Sequence, residues 1–254
     1  MGEKISYLLK DLPVRAAVYD TVDSTGNVLK RLASDGEPEG LVIVAEQQTS
    51  GRGQYGRSFF SPKGSGVYFS LLLRPKMDIS EAVSITAMAA IAVSEAIESV
   101  AKVQAGIKWV NDVICRGKKV AGILTEATLT SGGMVEYIHL GIGLNIYHCD
   151  FPDDIVLKAG SIFERGAVGD ARAELAAASI RAFYGLYSRL PDKGFMDEYR
   201  ERSVLMGRQI LLTDESGTRY VVAEEISDDA ALIVREFSGE TRTLISGRCK
   251  IELL

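Results

Sequence analysis

The sequence predicts an α+β fold, in which a mixed β-sheet packed with helices precedes a small SH3-like β-barrel. Up to residue 204, short β-branched or apolar runs alternate with segments whose apolar residues recur at helical spacing. From about Met206 onward only short strand-like runs remain, separated by turn clusters at 214–217, 227–229 and 238–240. We therefore expect a first domain over residues 1–204 and a second over 205–254.

The first half of the chain supplies two strands and the longest helix. The run LVIVAE (41–46) is typical of a buried strand, and VYFSLLL (67–73) predicts a second strand that stops at Arg74-Pro75. Residues 78–101 are Ala-rich with apolar residues at helical spacing, and Asp78 or Ser80 is placed to cap them. This segment is the most clearly predicted helix.

Three more strands and two more helices are expected before the barrel. A hairpin that turns at Arg116-Gly117 fits NDVICRGKKVAGILTEAT, and a further strand fits MVEYIHLGIGLNI. One helix is predicted over 170–190, where apolar residues share one face, and a short one over 194–204.

The composition excludes several classes of function. A formal net charge of −5 argues against general binding to nucleic acid or a membrane surface. No stretch approaches 18 uncharged apolar residues, so we expect no membrane span. The three cysteines, Cys115, Cys149 and Cys249, lie far apart and form no CxxC, which favours reduced thiols in a cytoplasmic protein without structural zinc.

A glycine loop, GRGQYGR (51–57), matches the G-x-G-x-x-G pattern of a dinucleotide-binding turn. That turn must open a helix, whereas Pro62, Gly64 and Gly66 follow here and the next regular element is a strand. A Walker loop is excluded as well, because no G-K-[ST] completes it. Two alternatives stay open: a plain flexible turn, or an anion-binding loop in which Arg52 recognises a carboxylate or phosphate.

A second cluster of polar residues surrounds the predicted hairpin in KWVNDVICRGKKVAGILTE. An Asn-Asp pair beside lysines suits Mg²⁺ held against a triphosphate, since Mg²⁺ takes one or two carboxylates plus phosphate oxygens. The same dipeptide is also a common turn. A third element, GIGLNI (141–146), ends a predicted strand with two glycines and Asn145, which is typical of a strand end as much as of a site.

Together and in this order, these motifs resemble the biotin protein ligase family. The matching series is DST (23–25), QTSGRGQYGR (48–57), SPKGSGVYFSLLLRP (61–75), KWVNDV (108–113), KKVAGIL (118–124) and GIGLN (141–145). The resemblance implies a ligase that activates biotin with ATP and Mg²⁺ to biotinyl-5′-AMP and transfers biotin to a lysine of a biotin carboxyl carrier domain. It also implies a form without an N-terminal DNA-binding domain, and a homodimer as one option.

The resemblance also implies roles for individual residues. Arg52 and Lys119 match the catalytic positions, at which positive charge lets a carboxylate approach a phosphate. Biotin-binding positions are Ser24, Thr25, Gly26, Gln48, Gly51, Arg52, Gly53, Gln54, Lys119, Gly122 and Gly141. Adenylate-binding positions are Arg52, Trp109, Asn111, Lys119 and Asn145, and Asp112 is the metal ligand. Trp109 alone is also typical of a core residue, and Ser24 and Thr25 also suit a helix cap.

Three positions depart from the family pattern. Gly26 stands where Asn is common, Val110 replaces a proline in KWPND, and Gln54 replaces an arginine that is thought to help hold the adenylate. Gln54 brings no charge, so we expect the intermediate to escape more readily. The competing hypotheses are a lipoate-protein ligase or octanoyltransferase, which acylate a carrier lysine on the same architecture, and a non-catalytic biotin- or nucleotide-binding module. His139 and His148 are interpreted as structural.

Overall fold

The computed structural model describes residues 1–167, 169–245 and 249–253. The helices are α1 (Gly2–Leu8), α2 (Thr25–Ser34), α3 (Ala82–Ala96), α4 (Arg172–Tyr187) and α5 (Phe195–Glu201). The strands are β1 (Arg15–Val22), β2 (Leu41–Gln48), β3 (Gly66–Leu73), β4 (Gly106–Lys108), β5 (Asp112–Cys115), β6 (Lys118–Leu129), β7 (Val135–Asn145), β8 (Gln209–Asp214), β9 (Gly217–Ile226), β10 (Leu232–Arg235), β11 (Thr241–Leu244) and β12 (Lys250–Leu253).

The larger sheet is mixed, as predicted. Its seven strands run in the order β1-β2-β3-β7-β6-β5-β4. Only β1 and β2 are parallel, and every other neighbouring pair is antiparallel. Strand β1 was not predicted, because as a partly exposed edge strand it carries charged residues, which hide the apolar pattern.

One face of this sheet is covered by α3 and α4, which also pack against each other. A capping box between Asp78 and Glu81 starts the helical run, and α3 is buried on almost all sides. The run Ile79–Ala101 is long and apolar enough to cross a membrane by length and composition, but 72% of that window is buried inside the protein. Its apolar surface is therefore accounted for by core packing.

The opposite face carries α2 alone. Val28, Leu29 and Ala33 of this helix pack in a separate small core with residues such as Ile43 and Leu72. Since α2 has ten residues, it covers only part of the sheet. The remaining part of this face forms the floor of a cleft.

The second sheet is antiparallel, with strand order β11-β10-β9-β8-β12. This arrangement agrees with the all-β region predicted after the helices, while the domain boundary at 204/205 stays a prediction. The two sheets are joined by contacts of β4 and its neighbours. The indole N–H of Trp109, which follows β4, donates at 2.7 Å to the carbonyl of Ala230, between β9 and β10.

Candidate active site

A cleft of about 580 Å³ lies on the α2 face of the larger sheet. Its walls come from the start of α2, the end of β2, the loop of residues 49–65, and strands β3, β6 and β7. Because side chains alternate along a strand, His139, Gly141 and Gly143 share the face of Tyr137, which packs beneath α2. The cleft is therefore a direct extension of the groove that α2 partly fills.

Glycines form the floor of the cleft. Gly143 pairs with Gly122 across β6 and β7, and Gly141 pairs with Ser70 across β7 and β3. A Cβ atom on Gly143 would stand 2.4 Å from the ring of Phe59, and one on Gly122 would stand 3.0 Å from it. The missing side chains thus let the aromatic ring of Phe59 lie flat against the strands, where it gives the cleft an apolar wall.

One end of the cleft is a network of uncharged hydrogen bonds. The Thr25 backbone N–H donates to Oε1 of Gln48 at 2.9 Å, and the Thr25 hydroxyl lies 3.1 Å from the same oxygen. The Thr25 hydroxyl also lies 2.8 Å from the Ser70 hydroxyl. Gln48 Nε2 donates to Ser61, which in turn donates to the Phe59 carbonyl. This end is therefore ordered by its own contacts.

His139 lies behind this network and is 3% exposed. Its Nε2 is 2.9 Å from the Ser70 hydroxyl, and its Nδ1 is 3.0 Å from Glu126 Oε2. Burial lowers the pKa of His139, although the Glu126 carboxylate opposes that shift. The hydrogen bond from His139, with a second one from Lys30 at 2.9 Å, lowers the pKa of Glu126 to about 2.

The other end of the cleft is charged. Lys119 Nζ lies 2.5 Å from Asp112 Oδ1 and 5.9 Å from the centre of the Phe59 ring. Asn111 lines the cleft nearby, and its Nδ2 donates to the carbonyl of Ile123. Lys119 therefore has a carboxylate partner in the absence of ligand, and an incoming anion has to compete with Asp112 for it.

The glycine loop forms a small hairpin over the cleft. Phe59 donates to the Gly51 carbonyl, and Gly53 donates to the Arg57 carbonyl at 2.7 Å. Tyr55 takes a left-handed conformation, with a φ of 58°. The hairpin places the exposed Arg52 and the half-buried Gln54 at the mouth of the cleft. The loop is therefore an ordered turn that lies at the cleft.

The cleft gathers most of the predicted site residues. Those that line it are Ser24, Thr25, Gly26, Gln48, Arg52, Gly53, Gln54, Asn111, Lys119, Gly122 and Gly141. Four others do not line it. Gly51 is buried beneath the hairpin, and Asp112 reaches the site through its ion pair with Lys119.

Trp109 and Asn145 do not line the cleft. Trp109 is 8% exposed because it packs in the core with its indole N–H bonded to Ala230, an arrangement that suits the core interpretation. Asn145 is buried at the end of β7. Their contact with a nucleotide stays a prediction.

Several cleft residues were missed by the sequence interpretation. They include Lys30, Phe59, Ser70, Glu126, His139 and Gly143. Ser70 and His139 are polar residues within otherwise apolar strand runs, and that interruption was the available signal. Glu126 and Lys30 are 96 residues apart in sequence, so only the folded chain brings them together.

The donor set fits Mg²⁺ held mainly by a ligand. Among the described residues no group of three or more His, Cys, Asp or Glu side chains is placed to hold a metal. A single carboxylate is sufficient for Mg²⁺ when phosphates and water complete its coordination. Asp112 would be that carboxylate, and its side chain is 22% exposed.

The chain is similar to known ligases in both sequence and structure. The profile of the biotin/lipoate A/B protein ligase family matches residues 18–145. The bifunctional ligase/repressor BirA of Bacillus subtilis is 32% identical over 87% of this chain and 69% of its own length. The biotin–[acetyl-CoA-carboxylase] ligase of Mycobacterium tuberculosis is 28% identical over 91% and 86%. A solved biotin protein ligase of Aquifex aeolicus, in complex with biotin and ATP, is similar with a TM-score of 0.78 and 26% identity, over 94% of this chain and 98% of that one.

Proposed function

Because the chain belongs to the biotin/lipoate A/B protein ligase family, we propose that it is a biotin protein ligase. It activates biotin with ATP to biotinyl-5′-AMP and transfers the biotinyl group to a specific lysine of a biotin carboxyl carrier domain. The names of the Mycobacterium tuberculosis and Aquifex aeolicus relatives specify biotin, which favours biotin over lipoate.

One observation carries the proposal: a single cleft has an uncharged hydrogen-bonding end, an apolar wall and a cationic end. Biotin has the same three parts, which are a cyclic urea, an aliphatic ring and chain, and a carboxylate. The Thr25 and Gln48 end suits the urea, and the Phe59 ring suits the apolar portion. Lys119 and Arg52 suit the carboxylate and the phosphate that it attacks.

In the first step a carboxylate oxygen of biotin attacks the α-phosphorus of ATP. The bond to the bridging oxygen of the β-phosphate breaks, and pyrophosphate leaves. Two anions must approach each other, which is costly unless cations lie between them. Lys119 exchanges Asp112 for these anions, and Arg52 donates to them from the mouth of the cleft. When bound, Mg²⁺ would be held by Asp112 and by phosphate oxygens, and it would supply further neutralisation of the phosphate charge.

In the second step the amine of the carrier lysine attacks the carbonyl carbon of the mixed anhydride. The bond to the AMP oxygen breaks, the amine loses a proton, and AMP leaves as the amide forms. We propose that the carrier arrives at the mouth of the cleft, where the exposed Arg52 lies. No covalent enzyme intermediate is required.

Pyrophosphate release and streptavidin detection of a carrier domain test the proposal together. The protein is incubated with Mg-ATP and either biotin or lipoate, and with a carrier domain that retains or lacks its acceptor lysine. We expect pyrophosphate with biotin alone, and a streptavidin signal only when the acceptor lysine is present. Acylation with lipoate but not biotin would favour the lipoate ligase hypothesis, and binding of biotin without pyrophosphate would favour a non-catalytic module.

A further inference from the structure

Three short contacts at the uncharged end of the cleft compete for protons. They join His139 Nε2 to Ser70 (2.9 Å), Ser70 to Thr25 (2.8 Å) and the Thr25 hydroxyl to Gln48 Oε1 (3.1 Å). Each contact needs one proton to become a hydrogen bond, and the two hydroxyls supply only two. A third proton can come only from the imidazole.

The neighbours of the network determine the orientation of Gln48 and the tautomer of His139. Gln48 Oε1 must face Thr25, because it accepts the Thr25 backbone N–H, and its Nε2 donates to Ser61. Glu126 is an acceptor when ionised, so Nδ1 of His139 carries a proton toward it. In the neutral imidazole Nε2 then carries no proton, and it accepts a hydrogen bond from the Ser70 hydroxyl.

The direction of both hydroxyls follows from this tautomer. With Ser70 donating to His139, the Thr25 proton occupies the shorter contact, to Ser70 at 2.8 Å, and no proton remains between the Thr25 hydroxyl and Gln48 Oε1 at 3.1 Å. Two acceptors then face each other at 3.1 Å, an arrangement that a ligand N–H relieves. When the imidazole is protonated, Nε2 donates instead and both hydroxyls reverse. The Thr25 proton then goes to Gln48, which satisfies the acceptors without a ligand.

We propose that His139 is a positioning residue whose protonation state sets the hydrogen-bonding polarity of the pocket. When His139 is neutral, Thr25 and Gln48 present acceptors to an N–H donor of the ligand; when it is protonated, they bond to each other. The inference rests on the proposed function, which supplies a cyclic urea as the donor. Two charged groups face the imidazole, Glu126 from β6 and Lys30 from α2, and Lys30 holds Glu126 in its ionised form.

The shape of the pocket is adapted to the imidazole. A Cβ atom on Gly26 would lie 2.6 Å from His139 Cε1, and one on Gly141 would lie 3.1 Å from Nε2. Gly26 is one of the three positions at which the sequence departs from the pattern of the family that it resembles. A side chain there would displace His139 from Ser70, so the glycine and the histidine act as a pair.

Nuclear magnetic resonance of the ¹⁵N-histidine-labelled protein tests the first part of the proposal. The chain has two histidines, so His139→Gln and His148→Gln assign both signals. We expect His139 to be the Nδ1–H tautomer at pH 8 and to gain a proton below the ordinary histidine pKa of 6.5, because burial disfavours its charge. An Nε2–H tautomer at pH 8 would overturn the inference.

Biotin affinity across the same pH range tests the second part. In the wild type we expect roughly 3- to 10-fold weaker binding where His139 becomes protonated. His139→Gln keeps an acceptor for Ser70 and a donor for Glu126, but its side chain does not titrate. This variant should therefore bind biotin well at pH 8 and should not show the acid decline, which is the loss of biotin affinity at acid pH. His148→Gln, which alters an exposed histidine, should retain it. A biotin analogue methylated at both urea nitrogens should bind the wild type weakly and without the decline.

The outcomes separate this inference from the function on which it rests. An acid decline that persists in His139→Gln, or an affinity that does not change where His139 titrates, would overturn the role of His139 while biotin binding stands. A wild-type protein that binds no biotin at any pH would overturn the proposed function and this inference together. Thermal unfolding of each variant separates loss of affinity from loss of folded protein.

Discussion

The two ends of the cleft differ in how they are held before a ligand arrives. At the uncharged end Thr25 and His139 are 4% and 3% exposed, and every polar group that the network joins comes from the protein itself. At the charged end the side chains of Lys119 and Asp112 are 33% and 22% exposed and are paired with each other. Buried polar groups must be satisfied in the folded protein, whereas charges near solvent can exchange partners at little cost. We infer that the first end is ordered before a ligand binds and that the second exchanges partners when one arrives.

Removal of Lys119 should give the largest effect on catalysis. We expect Lys119→Ala to lower the rate of biotin-dependent pyrophosphate release by about 100- to 1000-fold, because a cation placed against the developing charge is lost. The free energy of unfolding should change little, since Lys119 and Asp112 form a partly exposed pair. Lys76→Ala, at an exposed lysine beyond β3, is the control. Undiminished pyrophosphate release would refute the catalytic role of Lys119.

Arg52 and Arg57 offer a matched pair within one hairpin. Arg52 lines the cleft, whereas Arg57 is exposed and lies over the Tyr55 ring. We expect Arg52→Ala to reduce kcat/KM for biotin by about 10- to 100-fold, as for a lost hydrogen bond to a charged group, and Arg57→Ala to have little effect. Equal losses in the two variants would show that the hairpin acts through its net charge and not through one side chain.

Glu126 and His139, behind the uncharged end of the cleft, should contribute stability that depends on pH. The folded-state pKa of Glu126 is about 2, below its ordinary 4.5, so its contribution is complete above 4.5 and is lost as the pH falls toward 2. Because Glu126 is partly exposed, we discount this contribution to about 1–2 kcal/mol. Burial of neutral His139 adds a loss that begins below 6.5.

Urea unfolding at pH 7 and pH 3.5 measures this contribution. Glu126→Gln should lower the free energy of unfolding at pH 7 and reduce the difference between the two pH values. Glu136→Gln removes an exposed carboxylate from the same strand as His139 and should leave the difference unchanged. If Glu126→Gln has the full wild-type dependence on pH, the stability of this end does not come from the carboxylate.

The smallest expected effect concerns Gln54 at the mouth of the cleft. Gln54→Arg adds a cation next to the predicted adenylate, and we expect about two- to fivefold slower release of biotinyl-5′-AMP. Release is measured after single-turnover formation of the adenylate without a carrier domain. Identical release rates would show that Gln54 does not limit retention of the intermediate.

Sequence patterns predicted the elements that have a regular spacing of apolar residues or a recognisable turn. Helix α3 was predicted because its apolar residues recur over many turns, and Asp78 does cap the run. Strands β2, β3 and β7 were predicted by apolar runs, and the hairpin between β5 and β6 by Arg116-Gly117. Strand β4 was missed because three residues carry no periodicity, and it depends on its contact with Ser203.

Most of the candidate site was predicted because its motifs are local in sequence. The residues Ser24 to Gly26, Arg52 to Gln54 and Lys119 to Gly122 each reach the cleft from one short segment. Trp109 shows the limit of this reasoning, since its neighbours Asn111 and Asp112 reach the site region while its own ring points to Ala230. A motif records which residues are adjacent along the chain, and it does not record which way each side chain faces.

The sequence by itself determined the order of the elements, the family resemblance and the presence of a glycine loop rich in cations. Those features depend on the spacing of residues along the chain, which the sequence records directly. Only the tertiary structure decided that His139, Ser70 and Thr25 share one network and that Phe59 lies on Gly143. Such contacts join two strands, a helix and a loop, and their energies depend on distances between side chains far apart in the chain. They exist only after the sheet has aligned its strands in one register.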